Sequence, residues 1–381
     1  YGELKMSHEL AKQADGRIAM AYREGDAAPW HAAETAPQIV PANAPLEIWA
    51  DAAGLNYDVQ CRPNHRANGT PIPDSFYIER TDTGHVTGPY IAGQWQPVQN
   101  RAILDLADDI RDRRGFDIVT AGALFGGASA WVQLEANETR EIGDGDAITS
   151  RPLFTVRHTG RDANTFASVQ TRVVCNNTLT FALAENDADI FRHDHRVPLD
   201  RDAVETALGL NRDTFHGFCE TARKMAARAL TDAEALDYFR AVFPGTDKVE
   251  DGGRVRHREG VRKAFAYYRG QDFVPVGREN ESDAARIVSE QLDRITRGEA
   301  LDRLDDDVVL PPAPGINPGH DLTTTRGTLW GALNTVTWLA DQRPIKNRGT
   351  EHAIASHLFG DGTGGTQKAK AHKLALEMLA A

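Results

Sequence analysis

No two cysteines in this sequence lie close enough to suggest a metal clip or a disulfide frame. Cys61, Cys175 and Cys219 are the only three, and none belongs to a C-x-x-C. So scattered and odd a set reads as reduced, small core residues. No run approaches the roughly 18 apolar residues of a membrane span, and no apolar signal-peptide core opens the chain. The expectation is therefore a cytoplasmic protein with no membrane partner, with Met6 as its natural start. An excess of positive charge is missing too. Forty-three Lys and Arg against 55 Asp and Glu leave a formal net charge of -12. Such a chain carries no general footprint for nucleic acid, although a local basic face can sit on an acidic body. Also absent are G-x-x-x-x-G-K-[ST], H-E-x-x-H, G-x-S-x-G, and any G-x-G-x-x-G that opens a helix after a strand. No catalytic set, metal-ligand set or cofactor is read from the sequence.

What remains is ordinary globular composition, 41% hydrophobic and 26% charged over 381 residues. That length accommodates one large domain or two to three smaller ones with a substantial core. Residues 1–54 read as an irregular arm, with Trp30 packed on the body, ending in a short helix over 45–54. Pro45 suits its first turn and Gly54 its stop. Residues 55–199 read as a β-rich core. FYIERTDTGHVTGPYIAG alternates around a polar tip. A helix over 98–113 places Ile103, Leu106, Ala107 and Ile110 on one face. FDIVTAGALF and ASAWVQLEA flank Gly126–Gly127 as a second hairpin, GDGD at 143–146 is a turn, and ITSRPLFTVRHTG is a further strand. VQTRVVC looks extended. NNTLTFALA suits a helix start, with Asn176, Asn177 and Thr178 as capping groups. Residues 200–304 turn helical, with Asp200 and Thr231 as caps and a basic segment. Residues 305–381 combine a Pro/Gly linker with C-terminal helices at 323–340 and 369–379. The fold class is α+β: a mixed core of β-hairpins with a packed helix, followed by a helical C-terminal region.

The main charge feature is RVRHREGVRKAFAYYR, 254–269. Arg254, Arg256, Arg258, Arg262, Lys263 and Arg269 face a single acid, Glu259. Cations that follow phosphates beside aromatics that stack on bases (here Tyr267 and Tyr268) are what single-strand binding requires. An amphipathic helix with an exposed basic side and aromatic core contacts accounts for the same residues. Arg151, Arg157, Arg161 and Arg172 form a looser set. On a strand, Arg151 and Arg157 share a face, and Arg157 with Arg172 offers a second phosphate-binding wall. A solvated charged loop accounts for His193-Asp194-His195, and a solvated run for Asp305-Asp306-Asp307. GDGTGG, 360–365, reads as a flexible turn.

Several segments together resemble one family. They are Ser7-His8-Glu9, MAYREGDAAPWH (20–31), GQWQPVQNRAIL (93–104), GALFGGASAWVQLE (122–135), TRVVCNNTL (171–179), RGTLWGALNTVTWLAD (326–341) and HLFGDGTGGTQKAKAHKLAL (357–376). In order, they are similar to the phage/plasmid-like proteins grouped as domain of unknown function 932, with 244–321 the most divergent stretch. That resemblance implies a mobile-element protein but no residue roles. The hairpin–helix–hairpin core is similar in outline to Rad52-like annealing proteins, an analogy of fold alone. The functional expectation is a DNA-binding protein, binding or annealing single-stranded DNA in recombination or replication as a homo-oligomer. The alternatives are a metal-dependent nucleic-acid-processing enzyme using Glu135, Asp144 and Asp146, or a non-catalytic assembly or host-interaction protein.

Overall fold

The computed structural model describes residues 13, 15–26, 37–91, 95–136, 138–172, 177–179, 190–209, 211–243, 253–270, 319–342 and 362–381. Its elements are numbered in chain order. The expected irregular arm supplies two strands, β1 (Met20–Arg23) and β2 (Gln38–Val40). Both are too short to show a hydrophobic period. They are held by pairing, parallel to each other and, for β1, antiparallel to Thr120–Gly122. Trp30 lies outside the described residues. Helix α1 (Leu46–Ala52) begins directly after Pro45, and Gly54 leaves it at a φ of 66°.

β3 (Val59–His65), β4 (Pro71–Arg80) and β5 (Val86–Ile91) make a small antiparallel sheet. Helix α2 (Asn100–Arg114) follows. Its Ile103, Leu106, Ala107 and Ile110 are buried as their spacing predicts, and Gly115 closes it in the left-handed region at 67°. Each such side chain stabilises the fold by about 1.5–3 kcal/mol relative to exposure, less for alanine. β6 (Asp117–Leu124) and β7 (Ser129–Glu135) form the expected hairpin. Gly126 and Gly127 adopt φ values of 66° and 98° in its turn. β8 (Thr139–Gly143) turns through Asp144 and Gly145 into β9 (Asp146–Arg157), which is followed by β10 (Asn164–Arg172).

β11 (Asn177–Leu179) makes these three residues extended where a helix start was expected, and residues 176 and 180–184 lie outside the described residues. Asn177 and Thr178 pair with Arg172 and Thr171, because the free edge of β10 supplies hydrogen bonds. β12 (Ile190–His193) takes the other part of the same edge. Nine described strands thus form one sheet, in the order β11-β10-β9-β7-β6-β1-β2, with β8 also on β9 and β12 on β10.

The helices are α3 (Arg201–Gly209), α4 (Asn211–Ala227), α5 (Asp232–Val242), α6 (Gly253–Tyr268), α7 (Leu329–Gln342) and α8 (Gly362–Ala380). Asp200 caps α3 through the Ala203 amide at 3.0 Å. Thr231 and Glu234 close a reciprocal capping box on α5. α8 starts inside the glycine tract, so Gly362–Gly365 are helical rather than a flexible turn. Helical packing against α7 outweighs glycine's low propensity. Residues 271–318, which hold the end of the expected helical region and most of the expected linker, lie outside the described residues. Among the described residues, no helix is long and apolar enough to cross a membrane.

Strand alternation divides the large sheet into two faces. Ala121, Val132, Phe154 and Phe166 point to one core, shared with α1 and α2. Ile148, on the same face at the other end of β9, joins a second core built from α4 to α8. The opposite face gathers Met20, Leu124, Trp131, Leu153 and Val169. An all-carbon side chain at position 122 would run into the Trp131 ring and come within 2.7 Å of the Ala19 carbonyl, so only glycine lets β1 approach there.

Candidate functional site

The basic segment forms α6, as a helical reading of it requires. Along that backbone, at 100° per residue, positions 254, 258 and 262 fall on one side and positions 256 and 263 on the other. The six cations are therefore not one patch. The side chains of Arg254, Arg256, Arg258 and Arg262 lie outside the described set. Lys263 is half-buried, its Nζ 5.5 Å from the Tyr267 ring centre. Arg269 is tied to Asp232 at 3.1 Å.

Tyr267 and Tyr268 are 8% and 5% exposed. Tyr268 packs edge-on to Phe239, and Tyr267 meets Trp338 at 5.3 Å. Burial pushes the Tyr268 hydroxyl well above its ordinary value, with Asp232 adding to the effect. Tyr268 thus lies in the second core and Tyr267 is buried against Trp338, so neither ring is on the helix surface.

Arg151 and Arg157 share a face of β9. Arg172 belongs to the other face, because β10 is in register with β9 and position 172 stands opposite Ile148. Arg157 and Arg172 therefore do not line one wall. Arg157 reaches Ser129 Oγ at 3.4 Å and Asp162 at 3.9 Å. Arg151 and Arg23 clamp Glu135 from both sides, at 2.7 and 2.8 Å. Burial raises the Glu135 pKa, but the two guanidiniums outweigh it and leave the carboxyl below its usual range. Asp144 accepts from the Thr323 amide at 3.0 Å. Asp146, fully buried, accepts from Thr324 Oγ1 at 2.8 Å and from Trp330 Nε1 at 3.0 Å. Each of the three carboxylates considered for a metal is thus taken up by different protein partners. Among the described residues, no group of three or more His, Cys, Asp and Glu side chains is placed to hold a metal ion.

The structure overturns the solvated reading of His193-Asp194-His195. His193 and His195 are 3% and 7% exposed, with ring centres 6.2 Å apart, and a third buried histidine, His158, lies within electrostatic reach of His195. Pairing of β12 with β10 sets Asn164 opposite His193, and Asn164 Nδ2 lies 3.2 Å from His193 Nδ1. His195 Nε2 donates to the Asp162 carbonyl at 2.8 Å, and its ring stacks on Trp95 at 4.8 Å. His158 Nε2 meets Asn100 Oδ1 at 3.0 Å. Only Asp194 remains outside, bonded to Arg196. The i, i+2 spacing on a strand was the available signal. The third member, thirty-five positions before His193, comes into reach only through the β9–β10–β12 register.

A second buried polar group joins α7 to α8: Asp341 pairs with Lys368, and His372 lies one turn further along α8. Burial pushes His372 down to about 4.

Residues 90–358 match the model of a family described as a domain of unknown function (DUF932). The match spans well over half of the chain, and the chain belongs to that family. It matches no curated protein and no solved structure.

Proposed function

We propose that this protein binds nucleic acid, single-stranded DNA above all, without cutting it. Recombination or replication on a phage or plasmid is the setting, and the working form is a homo-oligomer. The observation that carries the reading is the line of positions 254, 258 and 262 along α6. Four-residue spacing repeats an arginine about every 6 Å along one side of a helix. Cations repeated in a line suit a phosphodiester backbone, and such binding needs no catalytic group. Burial of Tyr267 and Tyr268 moves the weight of the reading from base stacking to phosphate neutralisation. The expected binding is therefore sensitive to salt and tolerant of sequence.

The test is a titration of a fluorescent oligothymidylate and a duplex at low and moderate salt. Tight binding of the single strand that weakens steeply with salt is the supporting result. Changing Arg254, Arg258 and Arg262 together to glutamine should lower the slope of log K against log salt by about 2, at roughly 0.7 for each phosphate no longer neutralised. Glutamine at Arg256 and Lys263, on the other side of the helix, should change it less. Equal effects from the two sets would remove α6 as the binding surface. Failure of the wild-type protein to bind at low salt would end the nucleic-acid reading and favour an assembly role.

A further inference from the structure

The three histidines sit where four segments meet. His158 follows β9, Asn164 opens β10, His193 closes β12, and Asn100 opens α2. The surrounding bonds fix which nitrogen of each ring holds a proton. Asn164 Oδ1 accepts the Arg157 amide at 2.9 Å, so its Nδ2 donates to His193 Nδ1 and leaves the proton of that ring on Nε2. Asn100 Nδ2 faces the Leu55 and Tyr57 carbonyls, so its Oδ1 accepts from His158 Nε2. The Asp162 carbonyl accepts from His195 Nε2. His158 Nδ1 and His195 Nδ1 are then lone pairs, and both are buried without a hydrogen-bond partner. His158 and His195 are neutral in this arrangement.

We propose that the cluster is an acid-released latch, in which neutral His158 and His195, beside the Asn164–His193 contact, hold β12 against the edge of β10, and protonation of His158 and His195 frees it. Protonating His158 or His195 would create a buried cation at a nitrogen that has no acceptor. The neighbours give no relief. On β4, Arg80 is cationic and stacks on Tyr57, whose ring meets His158 edge-on. Cys61 on β3 is half-buried, with its Sγ toward the Trp95 carbonyl. In the β9–β10 turn, the Asp162 carboxylate is engaged by Thr159 and Arg157. After β12, Asp194 is engaged by Arg196. Arg192, next to His193, is exposed.

Burial holds His158 down to about 3, and His195 and Arg80 add to the effect. Burial likewise keeps His195 below its ordinary value. Both folded-state values lie under the unfolded value of about 6.5. The latch therefore has its full strength above about pH 6.5 and loses it as pH falls toward about 3, because the open state binds more protons. Four residue pairs join β12 to β10, and Phe191 lies 6.0 Å from Phe166, so opening uncovers both a strand edge and an aromatic pair.

Hydrogen exchange on the full chain at about pH 7.5 and about pH 5, corrected for intrinsic rates, is the test. Protection over 190–199 and 164–167 should fall at least about tenfold at the lower pH, one unit of linkage for a single proton taken up on opening. Protection within β6 and β7 should hold. His158→Gln with His195→Gln keeps both donors and cannot titrate, and should flatten that response. Unchanged protection of 190–199 in the wild type, or an equal loss throughout the chain, would overturn the latch. So would a full response in the double variant. None of these outcomes depends on whether the protein binds nucleic acid.

Discussion

Alanine at Asp341 is expected to destabilise the protein by about 3–5 kcal/mol, among the largest effects of any single change in this chain. Asp341 near the end of α7 and Lys368 in the second turn of α8 form an ion pair with side chains only 6% and 4% exposed. Removing the carboxylate takes the counter-ion from a buried ammonium on a helix whose Ala371 and Ala375 belong to the second core. The cost includes the desolvation of a charge that has lost its counter-ion as well as the vanished attraction. Asp341→Leu combined with Lys368→Met should therefore recover much of the loss, because neither charge remains buried. Urea denaturation midpoints for the single and double variants check this, provided the slope of the transition is unchanged. A double variant as unstable as Asp341→Ala would show that the pair is needed for its geometry.

Trp330→Ala should cost about 3–5 kcal/mol, within the range for truncating a fully buried large aromatic. Trp330 has no exposure, meets Phe218 at 6.3 Å, and directs its indole N–H at Asp146. It thereby joins the first turn of α7 to the start of β9. Trp330→Phe separates the two contributions. It retains most of the ring volume and removes the donor to a buried carboxylate, at about 1–3 kcal/mol. Thermal or urea unfolding of the two variants gives the division. Equal losses would mean that the indole hydrogen bond outweighs the ring's packing.

Elements that state their own boundaries were legible in the sequence. The β6–β7 hairpin combines alternating apolar residues with two glycines that tolerate positive φ, and α2 shows a complete apolar stripe closed by Gly115. Thr231 marked the start of α5, and the structure adds Glu234 as its reciprocal capping partner. Elements that exist through their partners were not legible. β1, β2, β11 and β12 are three or four residues long and are stabilised by the edges they cover. The candidate site divides the same way. The shared face of Arg151 and Arg157 follows from strand alternation, whereas the opposite placement of Arg172 depends on the β9–β10 register. The burial of Tyr267 and Tyr268 depends on α5 and α7, which pack around α6 from distant parts of the chain. The histidine cluster joins His193 and His195, two positions apart, to His158, whose proximity to them no local spacing records.

The twelve residues of β9 have a mechanical consequence. Phe154 and Val156 at one end belong to the core shared with α1 and α2, while Ile148 at the other belongs to the helical core. Both cores therefore share a single continuous strand, bordered along one edge by β7 and β8 and along the other by β10. A change in the twist of that strand is felt by both cores at once. Strain introduced among the helices is thereby transmitted to the hairpins along a stiff member, and the two cores behave as coupled loads on one beam rather than as separate modules.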